Sequence, residues 1–158
     1  MNGENALREA VKEFLNKNKL SNCYFVTLTM KQITHTAGRL TKERASINIK
    51  HFLNRLNRAE FGAARANRLN TRLRCITSVE KSLSGRIHVH MLIEKSQKYD
   101  QSAFEELTRK LWTKKTEFGY EDILCIDACD PIGLHHYITK EIRFDTDCID
   151  WKNTHLHS

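Results

Sequence analysis

The stretch GRIHVHMLI, residues 85–93, decides the fold because it joins a glycine turn to an apolar run that carries two histidines. Alternate side chains of a β-strand point to opposite faces of a sheet, so His88 and His90 share one face. The other face receives the four apolar residues of the run, which are Ile87, Val89, Met91 and Ile93. This pattern predicts a strand with a core face and with two neighbouring imidazoles on the opposite face.

The partner of this strand is predicted from the residues before it. The turn SLSG, residues 82–85, follows a second β-rich run at residues 73–80, so the two runs predict a β-hairpin. Glu80 ends the first strand, and cross-strand neighbours of a hairpin lie within reach of each other. His88, His90 and Glu80 are therefore candidate ligands of one divalent ion, Mg²⁺ or Mn²⁺, with positions left for a phosphate. The simpler alternative is two hydrogen-bonded histidines and an exposed carboxylate at a turn.

Hydrophobic periodicity and turn residues predict the remaining elements. Residues 23–30, CYFVTLTM, and residues 122–128 predict two more strands. Predicted helices cover residues 6–15, 42–61 behind the N-cap Thr41, 102–115 and 131–144. Residues 62–70, GAARANRLN, predict a basic connector, and residues 145–158 give a weak signal. The sum is one α+β domain, residues 1–158, with helices packed on a central, mainly antiparallel sheet of about four to five strands.

Charge is distributed unevenly along the chain. The net charge is +7, and residues 39–74 hold ten Lys or Arg against two acids. Such a segment is typical of a nucleic-acid-binding face, although a solvated helix face is an equal alternative. The candidate phosphate contacts are Arg55, Arg58, Arg65, Arg68, Arg72 and Arg74.

Several function classes are excluded by what the sequence lacks. No window approaches the roughly 18 apolar residues of a membrane span, and the polar first residues do not resemble a signal peptide. The five cysteines form no paired motif, which indicates reduced thiols in a cytoplasmic protein. No G-x-x-x-x-G-K motif is present, so no helicase domain is expected.

A candidate nucleophile lies in the last predicted helix, PIGLHHYITKEI, residues 131–142. Tyr137 and Lys140 are three residues apart and share a helix face. A free tyrosine has a pKa near 10 and is a poor nucleophile at neutral pH, but a nearby ammonium and a metal-bound phosphate favour its phenolate form and its attack. The alternative is a core tyrosine beside a surface lysine.

These signals together resemble the HUH endonucleases, and most closely the rolling-circle replication initiator (Rep) proteins of plasmids and single-stranded DNA viruses. The strand FVTLT at residues 25–29 is similar to their first motif, and His88-Val89-His90 is similar to their His-hydrophobic-His motif. Tyr137-Ile138-Thr139-Lys140 is similar to their YxxK motif, and Glu80 stands where these proteins often carry a third metal ligand. The resemblance covers roughly residues 22–145.

The resemblance implies a fold, an activity and partners. It implies an HUH nuclease fold with an RRM-like core, and a DNA endonuclease and strand transferase that initiates rolling-circle replication. His88, His90 and Glu80 would hold one Mg²⁺ or Mn²⁺, Tyr137 would form a 5′-phosphotyrosine link, and Lys140 would position or charge-balance the phosphate. The implied partners are single-stranded DNA at a replication origin, an origin hairpin and a host helicase. The implied location is the cytoplasm of a bacterium or archaeon with a mobile element, or a virus-infected cell.

Two other functions compete with this hypothesis. A single-tyrosine HUH transposase has a similar length, but the VTLT strand and Lys140 favour the initiator. A non-catalytic nucleic-acid-binding module with an RRM-like sheet would show paired aromatics on the sheet face, where this sequence has mostly threonine and histidine. The chain is either a compact initiator or the nuclease part of a longer protein.

Overall fold

A computed structural model describes residues 3–18, 20–127 and 148–157 of the chain. The elements in those ranges are α1 (Gly3–Lys17), β1 (Cys23–Met30), β2 (Ile33–Thr34), β3 (Gly38–Arg39), α2 (Lys42–Phe61), α3 (Ala63–Arg68), β4 (Cys75–Lys81), β5 (Ile87–Glu94), α4 (Gln101–Lys115) and β6 (Gly119–Asp127). The strands form a four-stranded sheet in the order β4-β5-β1-β6 and a separate β2-β3 pair. All pairs of the larger sheet are antiparallel, which confirms the predicted α+β class.

The main core lies between one face of the sheet and helices α2 and α4. The predicted core face of β5, residues Ile87, Val89, Met91 and Ile93, is buried there. Tyr24 of β1 packs on Phe104 of α4, with 5.0 Å between ring centroids, and Phe52 of α2 packs edge-on against Trp112. The Trp112 indole N–H donates to the carbonyl oxygen of Thr29 at 2.8 Å, so this buried donor is satisfied.

Helix α2 begins and ends where its sequence predicts. The Thr41 hydroxyl accepts a hydrogen bond from the backbone N–H of Arg44 at 3.3 Å and caps the first turn. Gly62 ends the helix with a φ of 81°, a value that favours glycine. The helix therefore keeps a fixed register over its 20 residues, and its apolar stripe faces the sheet.

The second face of the sheet is covered over only half its length. Cys23 and Phe25 of β1, Ile76 of β4 and Leu92 of β5 form a smaller core there. The residues that cover them come from α1 and from the two ends of the chain, and are Val11, Leu20, Cys148, Ile149 and Leu156. The other half of this face, towards the β4–β5 turn, carries the histidines.

Three sequence predictions need correction. Residues 62–70 are not an irregular connector, because Ala63–Arg68 form α3, in which three alanines favour the helix. The fourth strand begins at Gly119 rather than residue 122, since it pairs as far as Met30 of β1. Residues 148–157, whose signal was weak, are bonded to β4, with His155 and Cys75 exchanging backbone hydrogen bonds of 2.8 and 2.6 Å. This pairing covers an edge strand that would otherwise be open.

Burial also determines the state of the cysteines. Cys23, Cys75, Cys125 and Cys148 are free and buried. Burial raises the pKa of the Cys75 thiol to about 12 and that of Cys125 to about 12, so both stay neutral near pH 7. In the part of the chain that the structure describes, no helix is long and apolar enough to cross a membrane.

Candidate metal centre

The register of the β4–β5 hairpin brings the predicted ligands together. Glu80 lies directly opposite His88 and Ser78 lies opposite His90. One carboxylate oxygen of Glu80, Oε2, is 3.4 Å from His88 Nε2 and 3.5 Å from His90 Nε2. One potential ligand atom from each of the three residues lies within 4.8 Å of the others. The predicted proximity of Glu80, His88 and His90 is therefore present in the fold.

Burial rules out the alternative of an exposed Glu80. Only 3% of Glu80 and 5% of His90 are exposed, whereas the His88 side chain is 29% exposed. Burying a carboxylate is costly unless a counter-charge or hydrogen bonds compensate it. The cluster is therefore closed on the Glu80 and His90 side and accessible past His88.

The arrangement of the donor atoms fits one divalent cation. Both imidazole Nε2 atoms converge on the same carboxylate oxygen at distances longer than the 2.7–3.2 Å of an ordinary N–H···O hydrogen bond. Two nitrogen lone pairs and a carboxylate that point together repel unless a positive charge lies between them. The buried hydroxyl of Ser78 is on the same sheet face, and the described residues give it no hydrogen-bond partner. Imidazole and carboxylate together are ligands for divalent ions such as Mn²⁺ or Mg²⁺.

His90 is fixed by two residues of β1 that the sequence analysis did not single out. The register places Thr27 opposite His90, and the Thr27 hydroxyl lies 3.0 Å from His90 Nδ1. The Phe25 ring stacks on the His90 imidazole, with 5.4 Å between the ring centroids. When Nδ1–H donates to Thr27, Nε2 is the free ligand nitrogen and faces Glu80. The signal was present in FVTLT, but only the β1–β5 register identifies the pair.

The six candidate DNA-binding arginines lie on α2, on α3 and in the segment before β4. Arg58, Arg65 and Arg68 are exposed. Arg55, Arg72 and Arg74 are half-buried, and two of them hold the fold together. Arg72 donates to the Ala66 carbonyl at 3.1 Å, and Arg74 donates to the Leu156 carbonyl at 3.0 Å. Because α2 packs on the core face of the sheet, these helical arginines are across the sheet from the histidines.

The predicted nucleophile cannot be placed relative to this cluster. Tyr137, Lys140 and the helix predicted for residues 131–144 lie outside the described residues. Their roles stay predictions that rest on the sequence.

Comparison with known proteins identifies the family. No curated protein and no solved structure gives a match. The sequence model of a family described as replication-associated protein ORF2 matches residues 23–142, which is most of the chain. The match begins with β1, includes Glu80, His88 and His90, and extends past Tyr137 and Lys140. The chain therefore belongs to the replication-associated protein ORF2 family, a family of rolling-circle replication initiators.

Proposed function

We propose that this protein is a metal-dependent endonuclease of the HUH type that nicks and rejoins single-stranded DNA at a replication origin. The observation that carries the proposal is the Glu80, His88 and His90 cluster in a chain of an initiator family. An initiator must create a 3′ end, and a divalent-ion site at an accessible sheet face is suited to a phosphodiester. An origin hairpin or a host helicase would present the strand in single-stranded form.

The three ligands would hold one Mg²⁺ or Mn²⁺ and would orient the strand. When bound, the ion supplies Lewis-acid polarisation of a phosphoryl oxygen. His88 forms the exposed rim of the cluster, while Glu80 and His90 form its buried floor. Thr27 holds His90 with its Nε2 towards the ligand position.

Tyr137 would be the nucleophile in the nicking step. Its phenolic oxygen attacks the phosphorus, a P–O bond forms to tyrosine, and the P–O3′ bond breaks. The phenol loses one proton and the leaving 3′ oxygen gains one, so the step needs no redox partner or nucleotide cofactor. The phosphodiester energy is kept in the 5′-phosphotyrosine link, so attack by a 3′-hydroxyl reverses the step and joins strands. Lys140, on the same predicted helix face, would balance charge on the phosphate.

The basic residues of α2 and α3 would contribute affinity rather than sequence selection. Among the six candidates, Arg58, Arg65 and Arg68 are exposed and able to contact phosphates away from the cluster. Arg55, Arg72 and Arg74 are candidates as well, but their half-buried side chains contribute to packing. Contacts of this type make binding salt-dependent.

The experiment that tests this function traps the covalent intermediate. The protein is incubated with Mn²⁺ and labelled single-stranded oligonucleotides from its own replicon, and the mixture is run on a denaturing gel. The expected result is a metal-dependent protein–DNA adduct that disappears in Tyr137→Phe. Tyr120→Phe is the matched control, because Tyr120 is 50% exposed on β6 and its substitution removes the same hydroxyl elsewhere.

Two outcomes would contradict the proposal. An adduct that survives in Tyr137→Phe and is lost in Tyr120→Phe would show that the nucleophile is assigned to the wrong residue. Binding of cognate DNA without any adduct would favour a non-catalytic nucleic-acid-binding module.

A further inference from the structure

A second site lies at the same end of the sheet as the metal cluster, on its helix side. A cavity of about 540 Å³ is enclosed by the β4–β5 turn, by the β2–β3 hairpin and by the first turn of α2. Its volume is within the roughly 300–1,000 Å³ of pockets that hold small molecules, so it has room for a nucleotide unit. Nothing in the assignment of the ligands Glu80, His88 and His90 requires this cavity.

The lining of the cavity is strongly basic. Four cationic side chains line it, and they are Arg39, Lys42, Lys81 and Arg86. Arg39, Lys81 and Arg86 are exposed, and within the described ranges none of these three forms an ion pair with a carboxylate. Cations gathered around a concave surface repel one another unless an anion joins them, so the lining favours an anionic ligand.

One carboxylate also lines the cavity and is already engaged. The pKa of Glu43 is lowered, first by a hydrogen bond from its own backbone N–H and then by the Thr41 hydroxyl. This is the position at which a helix N-terminus stabilises an acid. Glu43 therefore interacts with the end of α2, and the cavity keeps an excess of positive charge.

The uncharged polar groups of the lining are used within the protein. The Gln32 side chain donates to the Ile87 carbonyl at 2.9 Å and accepts from the Ile87 N–H at 2.8 Å. The Ser84 hydroxyl is bonded to the Ser82 hydroxyl at 2.8 Å. Few donors or acceptors are left to read base edges, whereas the cations suit phosphate oxygens, which carry no sequence information.

The cavity is one residue away from the metal cluster along both strands. Lys81 follows Glu80 on β4, and Ile87 precedes His88 on β5, and the two pairs are consecutive in the register. Because consecutive side chains of a strand point to opposite faces, the cavity and the cluster lie on opposite faces at one sheet end. A strand that passes the cluster meets the cavity by turning round the β4–β5 turn.

We propose that this cavity binds phosphates of the single-stranded DNA that flank the nick site, an inference that rests on the proposed function. Arg39, Lys81 and Arg86 are its principal contacts. The cavity would hold one flank of the strand and so keep the scissile phosphate at the exposed His88 rim.

The test compares two double substitutions that remove the same charge. Arg39→Gln with Arg86→Gln alters the cavity, and Lys110→Gln with Lys114→Gln alters an exposed pair on α4. Binding to a fluorescent cognate single strand is measured by anisotropy over a series of salt concentrations, with EDTA present so that no nicking occurs. The slope of log K against log salt should become shallower by about 1.4 in the cavity variant, because each phosphate contact on a single strand contributes about 0.7. The α4 variant should keep the wild-type slope.

Trimming the oligonucleotide distinguishes a site from diffuse attraction. Nucleotides are removed from either end of the strand, and the wild-type protein and the cavity variant are compared at each length. Shortening from one end should abolish the affinity difference between them, while shortening from the other end should preserve it. A difference that is insensitive to both truncations, or equal slopes in the two double variants, would overturn the cavity assignment.

Adduct formation separates failure of this inference from failure of the proposed function. At saturating DNA with Mn²⁺, the cavity variant should still form the adduct, because Arg39 and Arg86 are outside the cluster. An adduct with unchanged binding by the cavity variant would refute the cavity and leave the nuclease intact. Localised binding loss with no adduct from any protein, wild type included, would refute the nuclease and retain the cavity as a DNA site.

Discussion

Replacing Thr27 by valine tests whether β1 positions the metal ligand His90. Valine has nearly the shape of threonine but lacks the hydroxyl that lies 3.0 Å from His90 Nδ1. His90 is only 5% exposed, so water cannot easily replace that partner. Loss of a hydrogen-bond partner behind a metal-bound histidine typically costs 10–100-fold in metal affinity, which is about 1.4–2.7 kcal/mol. Thr27→Val should therefore weaken Mn²⁺ binding by about that factor.

The assay is Mn²⁺ titration of the protein without DNA, followed by electron paramagnetic resonance of the free ion. Thr27→Ser is the control, because it keeps the hydroxyl and should restore most of the affinity. A second control separates positioning from simple destabilisation. The free energy of unfolding of Thr27→Val, measured with urea, should fall by only about 1 kcal/mol, which leaves the variant folded.

The reasoning would be refuted by unchanged Mn²⁺ affinity in Thr27→Val. It would also be refuted if Thr27→Ser were as weak as Thr27→Val, since the effect would then come from packing rather than from the hydroxyl.

Three further predictions follow from local packing. A methyl group at Gly119 would overlap the Trp112 carbonyl oxygen, so Gly119→Ala should destabilise the protein by about 3 kcal/mol in urea unfolding, whereas Gly3→Ala, with open space around it, should change little. Because burial raises its pKa to about 12, Cys75 should resist a thiol reagent at pH 8 until urea unfolds the chain; labelling of folded protein, mapped by mass spectrometry, would contradict this. Burial, assisted by Arg72, lowers the pKa of His155 below its ordinary 6.5, so the unfolded chain binds the proton more readily. Stability should therefore be full above pH 6.5 and fall as the pH drops below it, and this slope should flatten in His155→Gln.

The hairpin that carries the candidate metal ligands was predictable because its determinants are local. Alternation in residues 85–93 assigned the core face, and the short turn fixed which residues of the two strands are opposite each other. Glu80 therefore came into reach of His88 from sequence spacing alone. That Glu80 is buried could not be read from its position near a turn, since its burial depends on the C-terminal residues packed on β4.

Contacts between distant segments account for what the sequence analysis missed. Thr27 meets His90 only through the β1–β5 pairing, which joins residues 63 apart in the chain. The strand-like pairing of His155 with Cys75 joins residues still further apart, and no periodicity in the tail indicates it. Tyr137 and Lys140 stay predictions from the YxxK motif, because they lie outside the described residues.

The basic segment shows why a charge count locates a function less well than a surface does. The segment from residue 39 to 74 contains all six candidate arginines, but Arg72 and Arg74 donate to backbone carbonyls that hold the fold together. Its first cation, Arg39, instead lines the cavity next to the metal cluster, together with Lys81 and Arg86 from the hairpin. A salt-dependent affinity measures how many cations meet phosphate, but only the position of those cations fixes where the strand lies. The hairpin joins both requirements, because its one end supplies metal ligands to one sheet face and cations to the other.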